Sequence, residues 1–104
     1  MRKDKSDILN EIYRVVLDRK KTKKKGSYTA SLFKEGKTKI LKKVAEETAE
    51  IILASRDEKK EEIIHEAADI WFHLLVLLGY HGITPDEVYA ELKKRQKSKV
   101  KKQK

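Results

Sequence analysis

The sequence predicts an all-α fold: an antiparallel bundle of about four helices, completed by dimerisation. Three observations predict it. Apolar residues recur at spacings of three and four along most of the 104 residues, the period of a helix face. One proline and four glycines are too few punctuating residues for a turn-rich β-architecture. No stretch alternates apolar and polar residues as a half-buried strand does. Hydrophobic residues make up 38% and charged residues 41%, so the chain is polar yet rich enough in Leu, Ile and Val to form one core.

The first helix is expected from about Asp4 to Arg19. Ile8, Leu9, Ile12, Val15 and Val16 form one stripe. Residues 26–36 read as an irregular, glycine-bounded connector anchored by Tyr28, Leu32 and Phe33, with room for a short helical turn. A second helix is expected over about 37–54, its core face made by Ile40, Leu41, Val44, Thr48, Ile51 and Ile52. A tight turn at 55–57 follows, with Asp57 as N-cap of a third helix reaching about Leu78 and stopped by Gly79 and Gly82. That helix is apolar on every side in its second half, which predicts a central, buried position and a homodimer that covers what one copy cannot, Trp71 included. The fourth helix, about 84–97, has the strongest start signal. Thr84 stands at N-cap, Pro85 at N1 and Glu87 at N3, a capping box flanked by Ile83 and Val88 as a hydrophobic staple.

No cysteine is present, which excludes disulfide scaffolds, thiolate zinc sites, iron–sulfur clusters and cysteine nucleophiles, and fits a reducing, cytoplasmic setting. The longest apolar run, Ile70 to Leu78, is far short of the roughly 20 residues that span a bilayer. The charged N-terminus carries no signal-peptide apolar region. Net charge is +9, but its distribution matters more. Residues 93–104 contribute +8, and the cluster Lys20, Lys21, Lys23, Lys24, Lys25 adds +5, leaving a body of −4. The expected organisation is therefore one folded domain, 1–96, followed by a basic, disordered tail, 97–104. A high isoelectric point of this origin is weak support for nucleic-acid binding.

The acidic residues carry more information. At 100° per residue, Lys39, Lys43, Glu46, Glu47 and Glu50 occupy one stripe of the second helix beside its core face, with Glu47 and Glu50 as i, i+3 neighbours. Glu62, Glu66, Asp69 and His73 share a stripe on the third. A turn centred on Arg56 sets Glu47 level with residue 65, Glu50 with Glu62 and Lys43 with Asp69. Carboxylate pairs then converge from two helices, a repulsive arrangement that a divalent cation relieves. Oxygen donors favour Mg²⁺, or Mn²⁺, over zinc. Glu47, Glu50, Glu66 and Asp69 are the expected ligands. Glu46 sits beside them as a further ligand or general base, and Glu46 and Glu47 are the candidate catalytic carboxylates. The alternative is a solvated face of Lys–Glu pairs. Against it, lysines N-terminal to glutamates are the poorer pairing order and oppose the helix dipole. His65-Glu66-x-x-Asp69 lacks the second histidine of a zinc hydrolase, and His65 lies off the stripe. His73 is expected to be a structural, hydrogen-bonded core histidine.

The pattern Lys43-x-x-Glu46-Glu47-x-x-Glu50, fifteen residues, Glu66-x-x-Asp69 resembles the E-E-x-x-E … E-x-x-D signature of the all-α, MazG-like nucleotide pyrophosphohydrolases. Ser27-Tyr28-Thr29-Ala30-Ser31-Leu32-Phe33, Gly36, Ile40, Lys43-Val44-Ala45-Glu46-Glu47 and Glu66-Ala67-Ala68-Asp69-Ile70-Trp71-Phe72-His73-Leu74 narrow the likeness to the phosphoribosyl-ATP pyrophosphohydrolases of histidine biosynthesis, over about residues 5–95. Ala45 departs from the glycine expected there. The resemblance implies a homodimeric enzyme and Mg²⁺-dependent hydrolysis of the α–β phosphoanhydride of a nucleotide, phosphoribosyl-ATP, to phosphoribosyl-AMP and pyrophosphate. It favours ligand contact for Ser27, Tyr28 and Thr29. Lys43, and less directly Lys39, would hold phosphate oxygens. The runner-up is a small basic helical module binding RNA or ribosomal surfaces through its lysines. Neither lysine cluster interleaves an aromatic residue for base stacking. A purely structural helical interaction protein would explain the core but not the acid stripe.

Overall fold

A computed structural model describes residues 7–102, with no strand among the described residues. Five helices follow one another: α1 Asp7–Thr22, α2 Tyr28–Glu35, α3 Lys37–Arg56, α4 Lys60–His81 and α5 Pro85–Lys102. α3 and α4 form a central antiparallel hairpin. α1 packs on α4, α2 bridges α1 and α3, and α5 leans on α1. Val16, Leu32, Ile40 and Val76 meet at the centre, with Ile12, Phe33, Phe72 and Leu77 around them.

The expected irregular connector at 26–36 is a two-turn helix. Ser27, in extended conformation, caps it by accepting the Ala30 N–H at 3.1 Å, and Leu32 is fully buried beneath it. Gly36, at φ 102°, separates α2 from α3 with a backbone only glycine adopts without strain. The expected tight turn also differs. Asp57 ends α3 instead of capping α4, and Glu58 takes the left-handed conformation, φ 56°. Lys59 N–H bonds the Ala54 carbonyl and Glu58 N–H that of Ser55, so the chain reverses through a Schellman motif. The hairpin pivots on Glu58 rather than Arg56.

Gly79 does not stop α4 but lies buried inside it. A Cβ there would sit 3.1 Å from Val16 Cγ1, so the glycine lets α1 approach closely. The helix ends at Gly82, φ 72°. α1 grips that end: Tyr13 Oη donates to the Ile83 carbonyl at 2.5 Å and Lys20 Nζ to the Gly79 carbonyl at 2.8 Å, a cation against the negative pole of a helix. The predicted capping box forms. Thr84 N–H donates to Glu87 Oε2 at 3.0 Å and Glu87 N–H to Thr84 Oγ1 at 3.2 Å. Thr84→Ala is expected to lower stability by about 1 kcal/mol in urea denaturation. α5 continues to Lys102, so the tail expected to be disordered from 97 is helical in backbone that far. Four of the six residues over 97–102 are lysines, which are adequate helix formers. Residues 103 and 104 of that tail, and 4–6 of the expected first helix, lie outside the described residues.

Burial corrects two further expectations. Leu41, Thr48 and Ile52, read as core, are exposed, because α3 has neighbours only on the side of α2 and α4. α4 is not enclosed either: His73, Leu75, Val76 and Gly79 are buried, while Ile64, Trp71 and Leu74 are open to solvent. By length and composition alone α4 could cross a bilayer. Its packing against α1 and α3, and its stripe of Glu66, Asp69 and His73, are those of a core helix.

Candidate active site

The acid-bearing faces of α3 and α4 meet in an open cleft of about 490 Å³ lined by Lys43, Glu46, Glu47, Glu50, Glu66 and Asp69. The pivot at Glu58 sets the register. Residues equidistant from it put Glu47 level with Asp69 and Glu50 level with Glu66, in place of the expected 65 and 62. Glu62 accordingly falls outside and sits 4.0 Å from Lys59.

Within the cleft the carboxylates differ in environment. The Glu47 side chain is only 12% exposed, against 47% for Glu46. Burial pushes the Glu47 carboxyl above its usual range; a hydrogen bond with Glu66 and the charges of Asp69 and Glu66 push the same way, with His73 opposing. Glu66 Oε1 is buried and has no hydrogen-bond partner. Buried oxygens without partners are costly, and clustered carboxylates hold protons they would otherwise lose. Both observations, with an all-carboxylate donor set on two helices, fit a divalent cation bound by oxygen. One atom each of His65, Glu66 and Asp69 also lie within 4.8 Å of one another. His65, set aside in the sequence because it lies off the stripe, comes within 3.3 Å of Asp69 Oδ2. Its i, i+4 spacing to Asp69 was the available signal.

Lys43 Nζ lies 3.4 Å from Glu46 Oε1 and 3.8 Å from Glu47 Oε2. Burial alone would lower its pKa, but Tyr28, Glu46 and Glu47 outweigh burial and raise it. It is a firmly charged ammonium at the cleft wall. Lys39, one turn earlier, is half-buried and does not line the cleft.

α2 brings Tyr28 to the same place. Tyr28 Oη is 2.9 Å from His73 Nε2, and His73 Nδ1 is 2.9 Å from the Asp69 carbonyl. A carbonyl only accepts, so Nδ1 carries a proton. Buried His73 thus ties Tyr28 to the backbone of Asp69, as a structural histidine would. The Tyr28 ring also packs on Phe72, with centroids 6.4 Å apart. Ser27 and Thr29, expected beside Tyr28 on one ligand, instead line a second, basic cleft with Val15, Arg19, Lys24, Lys25 and Gly26. Tyr28, bonded to His73, lies beside the acidic cleft without lining it, so the three-residue motif does not converge on one cleft.

Residues 9–96 match the family model described as phosphoribosyl-ATP pyrophosphohydrolase. The chain belongs to this family. A phosphoribosyl-ATP pyrophosphatase of Geobacter metallireducens is 51% identical over 92 residues, 88% of this chain and 84% of the relative. One from Pelotomaculum thermopropionicum is 46% identical over 93 residues, covering 89% and 95%, and one from Saccharolobus islandicus is 46% identical over 92, covering 88% and 98%. The phosphoribosyl-ATP pyrophosphohydrolase match contains every residue of both clefts and ends before the last lysines of α5.

Proposed function

We propose that the chain hydrolyses the α–β phosphoanhydride of phosphoribosyl-ATP, releasing phosphoribosyl-AMP and pyrophosphate as a step of histidine biosynthesis. The observation that carries this reading is the convergence of Glu47, Glu50, Glu66 and Asp69, with Lys43 beside them, on one cleft of a chain with this family membership. These four carboxylates would hold Mg²⁺, with Mn²⁺ as its substitute. Such a cation neutralises phosphate oxygens and makes a bound water more acidic. Lys43 binds an oxygen of the leaving pyrophosphate and carries charge as the anhydride breaks. Lys39, one turn earlier on α3 and outside the cleft lining, is a weaker contact for the same phosphates. Glu46 and Glu47 orient water and accept its proton; the more exposed Glu46 is the better placed to pass it to solvent. Tyr28, held by His73, walls the cleft toward the nucleotide. A soluble metabolite as substrate favours the cytoplasm.

The deciding experiment is pyrophosphate release from phosphoribosyl-ATP with and without Mg²⁺, against a panel of nucleoside triphosphates. Metal-dependent release preferring phosphoribosyl-ATP is expected. RNA binding without turnover would favour the basic-module alternative. The metal also has a stability signature. Glu47 keeps its proton more tightly folded than unfolded, so without metal its contribution favours folding at low pH and is lost as pH rises through the elevated pKa. Mg²⁺ binds the ionised cluster, so its stabilisation is expected to grow over the same interval, reaching about 2.7 kcal/mol at a hundredfold excess over Kd. Thermal melts at mildly acidic and mildly alkaline pH, with and without MgCl₂, measure it.

We also propose a homodimer. Leu41, Ile52 and Leu53 of α3 and Ile64, Trp71 and Leu74 of α4 are each at least 40% exposed, more apolar surface on adjoining helices than a monomer keeps in water. Trp71→Glu is expected to convert a dimeric mass into a monomeric one in sedimentation velocity at micromolar concentration.

A further inference from the structure

We propose that the basic cleft is the seat of the phosphomonoester at the phosphoribosyl end of the substrate. This rests on the reaction proposed above and extends it to the part of the molecule that does not react. The substrate carries two separated anionic groups, a triphosphate at one end and a single phosphate at the other, with adenine and two riboses between. The acidic cleft is built for the triphosphate. It offers one lysine and five carboxylates to any anion, so it cannot also hold the lone phosphate.

The second cleft, about 370 Å³, has the opposite lining: Arg19, Lys24 and Lys25, with the hydroxyls of Ser27 and Thr29 and no carboxylate. Asp18, next to it, holds Arg19 Nη1 at 2.5 Å, which leaves other guanidinium N–H groups to donate. Ser27 Oγ accepts the Ala30 N–H, so its own proton is available to an incoming oxygen. The turn is closed by Ser27 N–H on the Lys24 carbonyl at 3.2 Å, with Gly26 at φ 85°. It therefore holds the two lysines beside the start of α2. The Tyr28 and Thr29 N–H groups at the start of that helix have no intrahelical acceptor, and they add donors to those of the side chains.

The order of groups along the protein matches the order along the ligand. Tyr28 lies between Ser27 and Thr29 in sequence, bonds His73 beside the acidic cleft, and leaves half of its surface exposed. A nucleotide with its triphosphate among the carboxylates and its phosphate among Arg19, Lys24 and Lys25 would pass its adenine across this ring. The first turn of α2 then separates the reacting end from the recognition end, and the basic cleft selects phosphoribosyl-ATP over ATP.

The test compares inhibition by two products that share the AMP moiety, phosphoribosyl-AMP and AMP, using phosphoribosyl-ATP turnover as readout. In the unaltered enzyme phosphoribosyl-AMP should bind more tightly than AMP. In Lys24→Gln/Lys25→Gln that advantage should shrink about 10- to 100-fold, with the AMP constant unchanged. Arg19→Gln should act in the same direction. Lys93→Ala/Lys94→Ala, which removes two charges from α5, should leave the advantage intact and so separates contact from long-range attraction. If the Lys24/Lys25 variant keeps the advantage, or if it weakens both inhibitors equally, the subsite is wrong while the reaction stands. If the unaltered enzyme does not turn over phosphoribosyl-ATP, the proposed reaction fails and the subsite fails with it.

Discussion

Glu66→Ala is expected to lower kcat/KM by about three orders of magnitude, or about 4 kcal/mol of transition-state stabilisation. Glu66 stands where the two helices meet. It shares a hydrogen bond with Glu47, lies next to Asp69, and holds one buried oxygen with no partner in the protein. Removing it deletes a proposed ligand from α4 and a neighbour of Glu47. Glu66→Gln separates this from a folding defect. It keeps the shape, removes a negative charge from a repulsive cluster, and can donate to Glu47, so the metal-free protein should melt no lower than the parent. Activity should fall nearly as far as in the alanine variant, and the Mg²⁺-induced rise in Tm should largely disappear. Retention of both turnover and the metal-induced shift would remove Glu66 from the site.

Lys43→Ala is expected to cost about 2–4 kcal/mol in kcat/KM, mostly through kcat, if the ammonium meets charge that develops as the anhydride breaks. It should leave Mg²⁺-induced stabilisation in place, since it takes a cation and no ligand from the cleft. The two substitutions thus have opposite metal signatures. Deleting residues 97–104 is the control, because that segment carries lysines but lies in sequence beyond every residue of the acid motif. It should keep kcat and at most reduce kcat/KM at low salt. A silent Lys43→Ala with an inactive truncation would transfer the phosphate-binding role to the tail.

Sequence periodicity carried the helical class and the convergence of acids, because both depend on spacing within a helix. What depends on the turn between helices was harder to read. The reversal pivots on a left-handed Glu58, a conformation that glutamate seldom signals, and this two-residue shift exchanged Glu62 for Glu66 opposite Glu50. α2 was obscured because eight residues carry too few repeats of an apolar stripe, although Ser27 and the spacing of Tyr28, Leu32 and Phe33 were its cap and its face. The exposure of Leu41, Thr48 and Ile52 was invisible for another reason. An apolar stripe left open to solvent has the same pattern as one that faces the chain's own core. The separation of Tyr28 from Ser27 and Thr29 required knowing that the motif starts a helix.

The acidic cleft lies wholly on one helical hairpin, Lys37–His81, closed by a three-residue turn. Its contacts join residues close in sequence, whereas α1 must return from far along the chain to dock on α4. Local contacts require the least loop closure and form early. The hairpin is therefore the natural folding nucleus, and the carboxylate cluster, with its mutual repulsion, is assembled on the way to the native state rather than at the end. A divalent cation that binds the cluster stabilises the transition state for folding as well as its product. Its stabilisation will be expressed chiefly as faster refolding, with the unfolding rate little changed.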